Sequence, residues 1–166
     1  VKENNMPIST QTQLLGLDDA KVFALTSDDG SSLTYGSAVD IPSILGITLV
    51  ESYTSRPLYH DEKVADIYSR LDAVAFSFAN AKLSLDALAV IQGGNNSSSG
   101  TTPDRVNTYS VANPNSPGFF KIEGKVNYSA GNVGDFHLKL YKCKISTIEV
   151  DFSNQGYAIV SAAGIA

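Results

Sequence analysis

The residues best suited to chemistry by type and spacing are three acidic pairs: Asp18-Asp19, Asp28-Asp29 and Asp61-Glu62. Neighbouring carboxylates can divide general acid and general base work between them, or they can bind calcium. A calcium loop needs oxygen ligands at alternating positions closed by a glutamate, and none of the pairs has that spacing. Acids in such short runs are typical of turns and strand ends. The pairs therefore predict neither an active site nor a calcium site.

The two histidines and the single cysteine form no other catalytic grouping. His60 and His137 are far apart in the sequence, and no G-x-S-x-G or H-E-x-x-H motif frames a nucleophile or a metal ion. Cys143 alternates with apolar neighbours, which is typical of a small buried side chain. We expect no enzyme activity, no bound metal and no cofactor.

Composition narrows the class of protein further. The 166 residues carry 12 Lys and Arg against 17 Asp and Glu, a formal charge of −5 that disfavours a protein gripping the phosphates of a duplex. One cysteine excludes an internal disulfide. No apolar run approaches the roughly 18 residues of a membrane span, and residues 1–13 lack the apolar stretch of a secretion signal. We expect a soluble single domain made in a cytoplasm, without membrane insertion.

Most of the chain alternates between apolar and polar residues, the period of a β-strand. Strands are predicted over residues 21–26, 44–53, 72–79 and 120–128, and from residue 136 onward. The last two form a long hairpin. Apolar positions switch from even to odd numbers at Leu140-Tyr141, which predicts a β-bulge there.

One helix is predicted, over residues 85–92. Ser84 can cap its first turn, Gly93 can end it, and Leu88 lies at the centre of its apolar face. A helix of about two turns is not stable alone in water, so this face must pack on the sheets.

The predicted fold is mainly β, with two packed antiparallel sheets, a β-sandwich or small barrel, and one short flanking α-helix. An N-terminal arm over residues 1–16 precedes a β domain over 17–156, which holds a long surface loop at 93–118. Residues 157–166 form a C-terminal arm or a final edge strand. Long amphipathic strands with unpaired edges invite aggregation unless those edges are covered, and contacts between subunits could cover them.

Several stretches of the sequence share a pattern with one protein family. They are LDDAKV at 17–22 with TYGSAVDIPS at 34–43, LYHDEKVADIY at 58–68, DAVAFSFANAKLSLDALAVIQGG at 72–94 and FHLKLYKCKI at 136–145. Together they resemble the major tail proteins, or tail tube proteins, of tailed bacteriophages, particularly phages with long flexible tails. The strand and helix at 72–94 are the most specific part of the resemblance.

The resemblance implies the phage tail tube fold and a structural role in the virion. Subunits would assemble in the host cytoplasm as hexameric rings whose inner strands join into one β-barrel, and stacked rings would form the tube through which genomic DNA leaves the capsid. Partners would be further copies of the chain, the tail-tip initiator, the tape measure protein and the tail terminator. DNA would pass through without specific binding, which the acidic charge favours.

Two sets of residues are predicted to serve this assembly. An extended loop between two strands, residues 53–63, combines both signs of charge with an apolar anchor and would contact a neighbouring subunit or ring. Its predicted contact residues are Arg56, Leu58, Tyr59, Asp61, Glu62 and Lys63. The small or polar faces of two strands would line the lumen, through Gly46, Thr48, Ser52, Ala73, Ala75 and Ser77.

Two alternatives remain open at the level of the sequence. The inner tube of a contractile tail, or of a related bacteriocin or secretion machine, would share the fold and the ring. A carbohydrate- or receptor-binding β-sandwich would explain the loop rich in Asn, Ser and Gly, although this loop shows no cluster of aromatic residues and the chain has no Trp.

Overall fold

A computed structural model describes residues 14–60, 63–82, 84–111, 117–128, 136–151 and 159–166. The protein is mainly β, and its sheets are antiparallel. The elements are β1 Leu14–Asp28, β2 Leu33–Tyr35, β3 Val39–Asp40, β4 Ile44–His60, β5 Lys63–Asn80, α1 Leu85–Gln92, β6 Asn95–Ser99, β7 Val106–Ser110, β8 Phe120–Tyr128, β9 Phe136–Asp151 and β10 Ile159–Ile165.

Seven strands follow one another in the order β2-β1-β8-β9-β10-β5-β4, and β3 pairs separately with β1. β9 belongs to two halves of this arrangement: its residues 136–143 pair with β8, and its residues 144–151 pair with β10. We call β2, β1, β8 and the start of β9 the first sheet. The second sheet contains the end of β9, then β10, β5 and β4.

A β-bulge in β9 separates the two sheets. Phe120 pairs with Cys143 whereas Ile122 pairs with Leu140, so that β9 uses one residue more than β8 between these pairs. Lys142 takes a left-handed backbone conformation with φ of 54°, and its Nζ lies 2.6 Å from Asp28 Oδ2 on β1. The predicted bulge and the predicted hairpin of β8 and β9 are both confirmed. The extra residue lets the strand bend away from β8 and continue in the second sheet.

The core lies between the two sheets. Phe76 on β5 meets Phe120 on β8 edge to face, with 6.1 Å between ring centroids. Val22, Ile122 and Cys143 are fully buried around them. Burial raises the pKa of the Cys143 thiol to about 12, because the thiolate would lose its hydration. This cysteine is a core residue.

The helix α1 begins and ends where the sequence predicts. Ser84 Oγ accepts a hydrogen bond from the Ala87 amide at 3.2 Å, and Gly93, with φ of 73°, donates its amide to Ala89 O at 2.9 Å. Leu88 and Ile91 are buried against the sheets. The helix therefore packs on the core-facing side of the second sheet and covers part of the core.

The end of the chain occupies a different place from the one predicted. β10 lies between β9 and β5 and pairs with both, so residues 159–165 are neither a free arm nor an edge strand. Their small side chains explain this position, because Ala162 and Gly164 fit beside Phe78 and Phe76 of β5.

The N-terminal boundary also changes, since β1 already includes Leu14. Residues 1–13 of the predicted arm lie outside the described residues.

The predicted long loop at 93–118 contains a hairpin of β6 and β7. Polar side chains attach it to α1: Tyr109 Oη donates to Gln92 Oε1 at 2.6 Å, and Asn96 Nδ2 donates to Asp86 Oδ1 at 2.7 Å. The sequence allows one short strand in this loop, at residues 106–111, where β7 lies. It concealed β6 because Asn95–Ser99 has no apolar alternation, and hydrogen bonds to the helix replace apolar burial. Residues 112–116 lie outside the described residues.

We predict that Leu88→Asp prevents folding. An unpaired carboxylate on the buried face of α1 costs several kcal/mol against a total stability of roughly 5 to 15 kcal/mol. Thermal unfolding followed by circular dichroism should show no cooperative transition, whereas the control Leu88→Met should melt near the wild type. A cooperative melt of Leu88→Asp close to that of the wild type would contradict the packing of this helix.

Candidate assembly surface

One face of the second sheet carries small side chains in rows that cross all four strands. Pairing places Thr48 beside Ser77, Ser77 beside Ala163, and Ala163 beside Thr147. Side chains of paired residues point to the same side of a sheet, and alternate residues of β5, Phe76 and Phe78, point to the core. The row therefore lies on the face turned away from the core.

The structure brings together the six residues that the sequence predicts for a channel wall. Thr48 pairs with Ser77 and Ser52 with Ala73, and on the same face Gly46 and Ala75 occupy the neighbouring rows. We call this surface the small-residue face. Its role in a lumen stays a prediction.

The small-residue face is shallow and weakly charged. It holds an open depression of about 670 Å³, lined by small residues of all four strands together with Leu45, Phe78 and the acidic Glu149. Towards the hairpin end of the sheet the face becomes more apolar, because Val50 and Ile165 lie there with about half of their surface exposed. Lys144 pairs with Ile165, and its Nζ lies 5.1 Å from the centroid of the Phe119 ring.

The sequence prediction missed the share of β9 and β10 in this face. Ser161 and Ala163 alternate with Val160 and Ala162, the same signal of a small face that identified Ala73 to Ser77. The signal is present in the sequence, but residues 157–166 are predicted as an arm or a final edge strand, and neither position gives them a place inside this face.

Lys121 and Lys125 lie on the polar face of the strand predicted at 120–128, a face that could also line a lumen, but the structure places them away from the small-residue face. They lie on β8 in the first sheet. Lys121 Nζ lies 3.9 Å from the centroid of the Phe23 ring and 2.8 Å from Glu123 Oε1. The lysine lowers the pKa of the Glu123 carboxyl. Lys121 is thus held against its own sheet, away from the small-residue face.

Two edges of the second sheet are open in the described part of the chain. β4 is the last strand in the order, and none of the described residues pairs with its outer side. Residues 144–151 of β9 pair with β10 on one side, while β8 ends its pairing at Cys143. Each edge presents unpaired backbone N–H and C=O groups, the usual template for pairing with another strand.

Residues 53–60 and Lys63 belong to a strand hairpin in the structure, so the prediction of an extended loop is wrong. β4 and β5 remain paired from Tyr53 with Leu71 to His60 with Lys63. β10 covers β5 only from Ala75 to Asn80, so this part of the hairpin projects beyond the sheet. Eight residues at about 3.3 Å each give a projection of roughly 26 Å. The sequence misled because Pro57 and a mixture of charges are typical of loops.

The projecting hairpin has an apolar and a polar face. Apolar side chains on one face are all exposed: Tyr53, Pro57, Tyr59, Val64, Ile67 and Leu71. On the opposite face Arg56 pairs with Tyr68, and Thr54 pairs with Arg70. Arg70 Nη2 bonds Asp72 Oδ1 at 3.2 Å. At the base, Tyr53 Oη donates to Glu51, and this acceptor raises the pKa of the phenol.

The predicted contact residues therefore share one hairpin but divide between its faces. Arg56 and Leu58 lie on the polar face, Tyr59 lies on the apolar face, and Lys63 pairs with His60 next to the tip. Asp61 and Glu62 lie outside the described residues.

The part of the chain that the structure describes contains no group of three or more His, Cys, Asp or Glu side chains placed to hold a metal ion. The helix α1, with 8 residues, is too short to span a membrane, and no longer helix occurs among the described residues. No model of a known protein family matches the chain, and no curated protein matches its sequence.

We predict that Gly164→Ala destabilises the second sheet. A methyl group at Gly164 would lie 2.6 Å from the Phe76 ring and would also meet the backbone oxygen of Lys144. Overpacking of this kind costs about 1 to 3 kcal/mol. Gly46→Ala is the matched control, because nothing lies within 4 Å of its added methyl group. Urea unfolding should show a lower midpoint for Gly164→Ala only, and equal midpoints for both variants would contradict the close approach at Gly164.

Proposed function

We propose that the protein is a structural subunit that polymerises as stacked rings to form the tail tube of a bacteriophage, the conduit for its genomic DNA. The observation that supports this most is the second sheet, which combines two open edges with a small-residue face. On this proposal the chain acts by assembly and not as an enzyme.

The two open edges run in opposite directions. Four strands that alternate in direction separate the edge of β4 from the edge of β9, so β4 and residues 144–151 are antiparallel to each other. A second copy, placed beside the first by rotation, can therefore add its β9 edge to β4 and continue an antiparallel sheet. Such a contact joins two different surfaces, and contacts of this kind form closed rings when the rotation closes. Closure pairs both open edges of the second sheet.

Six copies, the number that the resemblance to tail tube proteins implies, would give a barrel of 24 strands. At about 4.8 Å between strands, its circumference is about 115 Å and its diameter about 37 Å before strand tilt widens it. Barrels of 16 to 18 strands already enclose a water-filled channel. The size therefore suits a conduit.

The charge of the small-residue face suits passage of DNA without binding. Its rows contain Thr, Ser and Ala, and its charges include the carboxylate of Glu149 in the depression and the ammonium of Lys144, which pairs with Ile165 at the hairpin end. Six copies at −5 each carry about −30 in all, a charge that repels phosphates. We propose that this face lines the lumen and that the core and α1 lie outside it.

The projecting hairpin is proposed to contact a second copy in the next ring. Its reach of roughly 26 Å approaches the height of the second sheet, where residues 44–52 span about 30 Å. The exposed apolar face continues the core-facing side of β4, on which Ile47 and Leu49 lie. Burying it against a second copy would remove this apolar surface from water.

The remaining partners follow from the resemblance alone. The tail-tip initiator, the tape measure protein and the tail terminator would meet the ends or the lumen of the tube, and the location would be the virion. The inner tube of a contractile tail would use the same two edges, so it remains the alternative within the same class.

Two proline variants test the edge of β4. Adjacent residues of an edge strand direct their N–H groups alternately to the paired strand and to the open side. Val50 and Glu51 are adjacent and exposed, so we predict that one of Val50→Pro and Glu51→Pro keeps a thermal melt near that of the wild type. That folded variant should form no rings or tubes by sedimentation and negative-stain electron microscopy. Normal tubes from it would contradict the edge contact.

A shortened hairpin tests the contact between rings. Replacing residues 55–69 by Asn-Gly joins Thr54 and Arg70, a hydrogen-bonded type of pair in the structure, through a two-residue turn. Because the removed residues whose side chains the structure describes are all exposed, we predict a melting temperature within a few degrees of the wild type. Single rings should still form, but they should not stack into tubes in electron micrographs. Tubes of normal length would show that the hairpin is dispensable.

A further inference from the structure

The projecting hairpin is bordered by two open edges of its own. Among the described residues, no strand pairs with the outer side of β4, and none pairs with the other side of β5 from residue 63 to residue 73. Long exposed edges next to apolar side chains are the usual start of uncontrolled strand pairing and aggregation. A protein that exposes such a hairpin needs protection against strand pairing at these edges.

Pro57 removes a donor from the edge of β4. The ladder with β5 runs without a register shift from Tyr53 with Leu71 to Leu58 with Asp66. Proline has no N–H to give to Ile67, so its nitrogen belongs on the side that points away from β5. At this level, a strand approaching the outer side of β4 finds no donor and meets the proline ring.

Asp66 occupies the matching donor on the edge of β5. In a pair without ladder hydrogen bonds, the N–H of the second residue also points away from its partner strand. Ile67 is the partner of Pro57, and its amide donates to the Asp66 carboxylate, Oδ1, at 2.8 Å. The side chain thus satisfies this donor and places a charge on the edge. Both edges of the hairpin are blocked at one cross-strand pair.

We propose that Pro57 and Asp66 are edge guards, which prevent strand pairing along the projecting hairpin. They confine pairing to residues 44–52 of β4 and leave the hairpin to interact through its faces. The edge guards decide which part of a 17-residue strand another copy can use. The inference goes beyond the proposed function, since it needs only that the hairpin is exposed.

The test uses the purified full chain with Pro57→Thr and Asp66→Ala combined. Restoring one donor on each edge should let hairpins pair, and one net hydrogen bond changes an association constant by roughly fivefold. Light scattering and thioflavin fluorescence should therefore detect aggregates at a concentration at least about fivefold lower than for the wild type. Unchanged aggregation of this variant would overturn the proposal.

Two further variants separate the edge effect from a general change in strand propensity. Ser55 lies two residues before Pro57, so its N–H also points to the open side. Ser55→Thr alone raises strand propensity without adding a donor, and it should aggregate like the wild type. Adding Ser55→Pro to the double variant should restore its solubility. Failure of this rescue, in a protein that melts like the wild type, would also count against the edge guards.

The outcome is independent of tube formation. If the wild type forms no tubes while the double variant aggregates as described, the proposed function fails and the edge guards stand. If tubes form and the double variant behaves like the wild type, the edge guards fail alone.

Discussion

β9 leaves the first sheet at Tyr141 and Lys142, and the rest of the architecture depends on this departure. One extra residue opposite β8 lets the strand bend, and Lys142 is held at the bend by Asp28. Before the bulge β9 closes the first sheet, and after it β9 begins the second. The bend brings the second sheet over the first, so that Phe76 packs edge to face against Phe120 in the core between them. It also leaves residues 144–151 without a strand on one side in the described chain.

The open edges of β9 and β4 lie at opposite sides of the second sheet and are complementary to each other. A sheet with one exposed edge can at most form pairs of molecules, whereas two antiparallel edges at opposite sides allow each copy to bind two neighbours. The small-residue face lies between these edges, so closure into a ring would present Thr48, Ser77 and Ala163 on one continuous wall. On the proposed function, this one sheet would supply both the edges that join neighbouring copies and the wall of the channel.

The projecting hairpin differs from the rest of the second sheet, because one of its faces is apolar and exposed while its edges are blocked. Two strands alone are marginally stable in water, and this hairpin exposes apolar residues such as Tyr59 and Ile67 along its length. Its faces favour contact with another molecule, while Pro57 and Asp66 oppose contact along its edges. β4 and β5 therefore combine a segment whose edge can pair with another strand, residues 44–52, with a projecting hairpin whose edges are protected from such pairing.

The sequence predicted what depends on local pattern. The capped helix, the bulge in β9 and the small faces of β4 and β5 follow from residue spacing, and the structure places them as expected. The position of β10 could not be predicted in this way, because it depends on how Ala162 and Gly164 fit against Phe76 and Phe78 from a distant strand. The hairpin of β4 and β5 was also missed, since Pro57 marks a loop unless it lies on an open edge. Pairing partners are a property of the whole fold and leave little trace in local periodicity.

The most direct test of the account is a cryo-electron microscopy reconstruction of the assembled protein, grown from purified subunits with a tail-tip initiator. The account predicts a closed ring in which β4 of one copy is hydrogen-bonded antiparallel to residues 144–151 of the next, with Thr48, Ser77 and Ala163 facing the axis. An assembly that leaves both edges unpaired, or that turns the small-residue face outward, would contradict it.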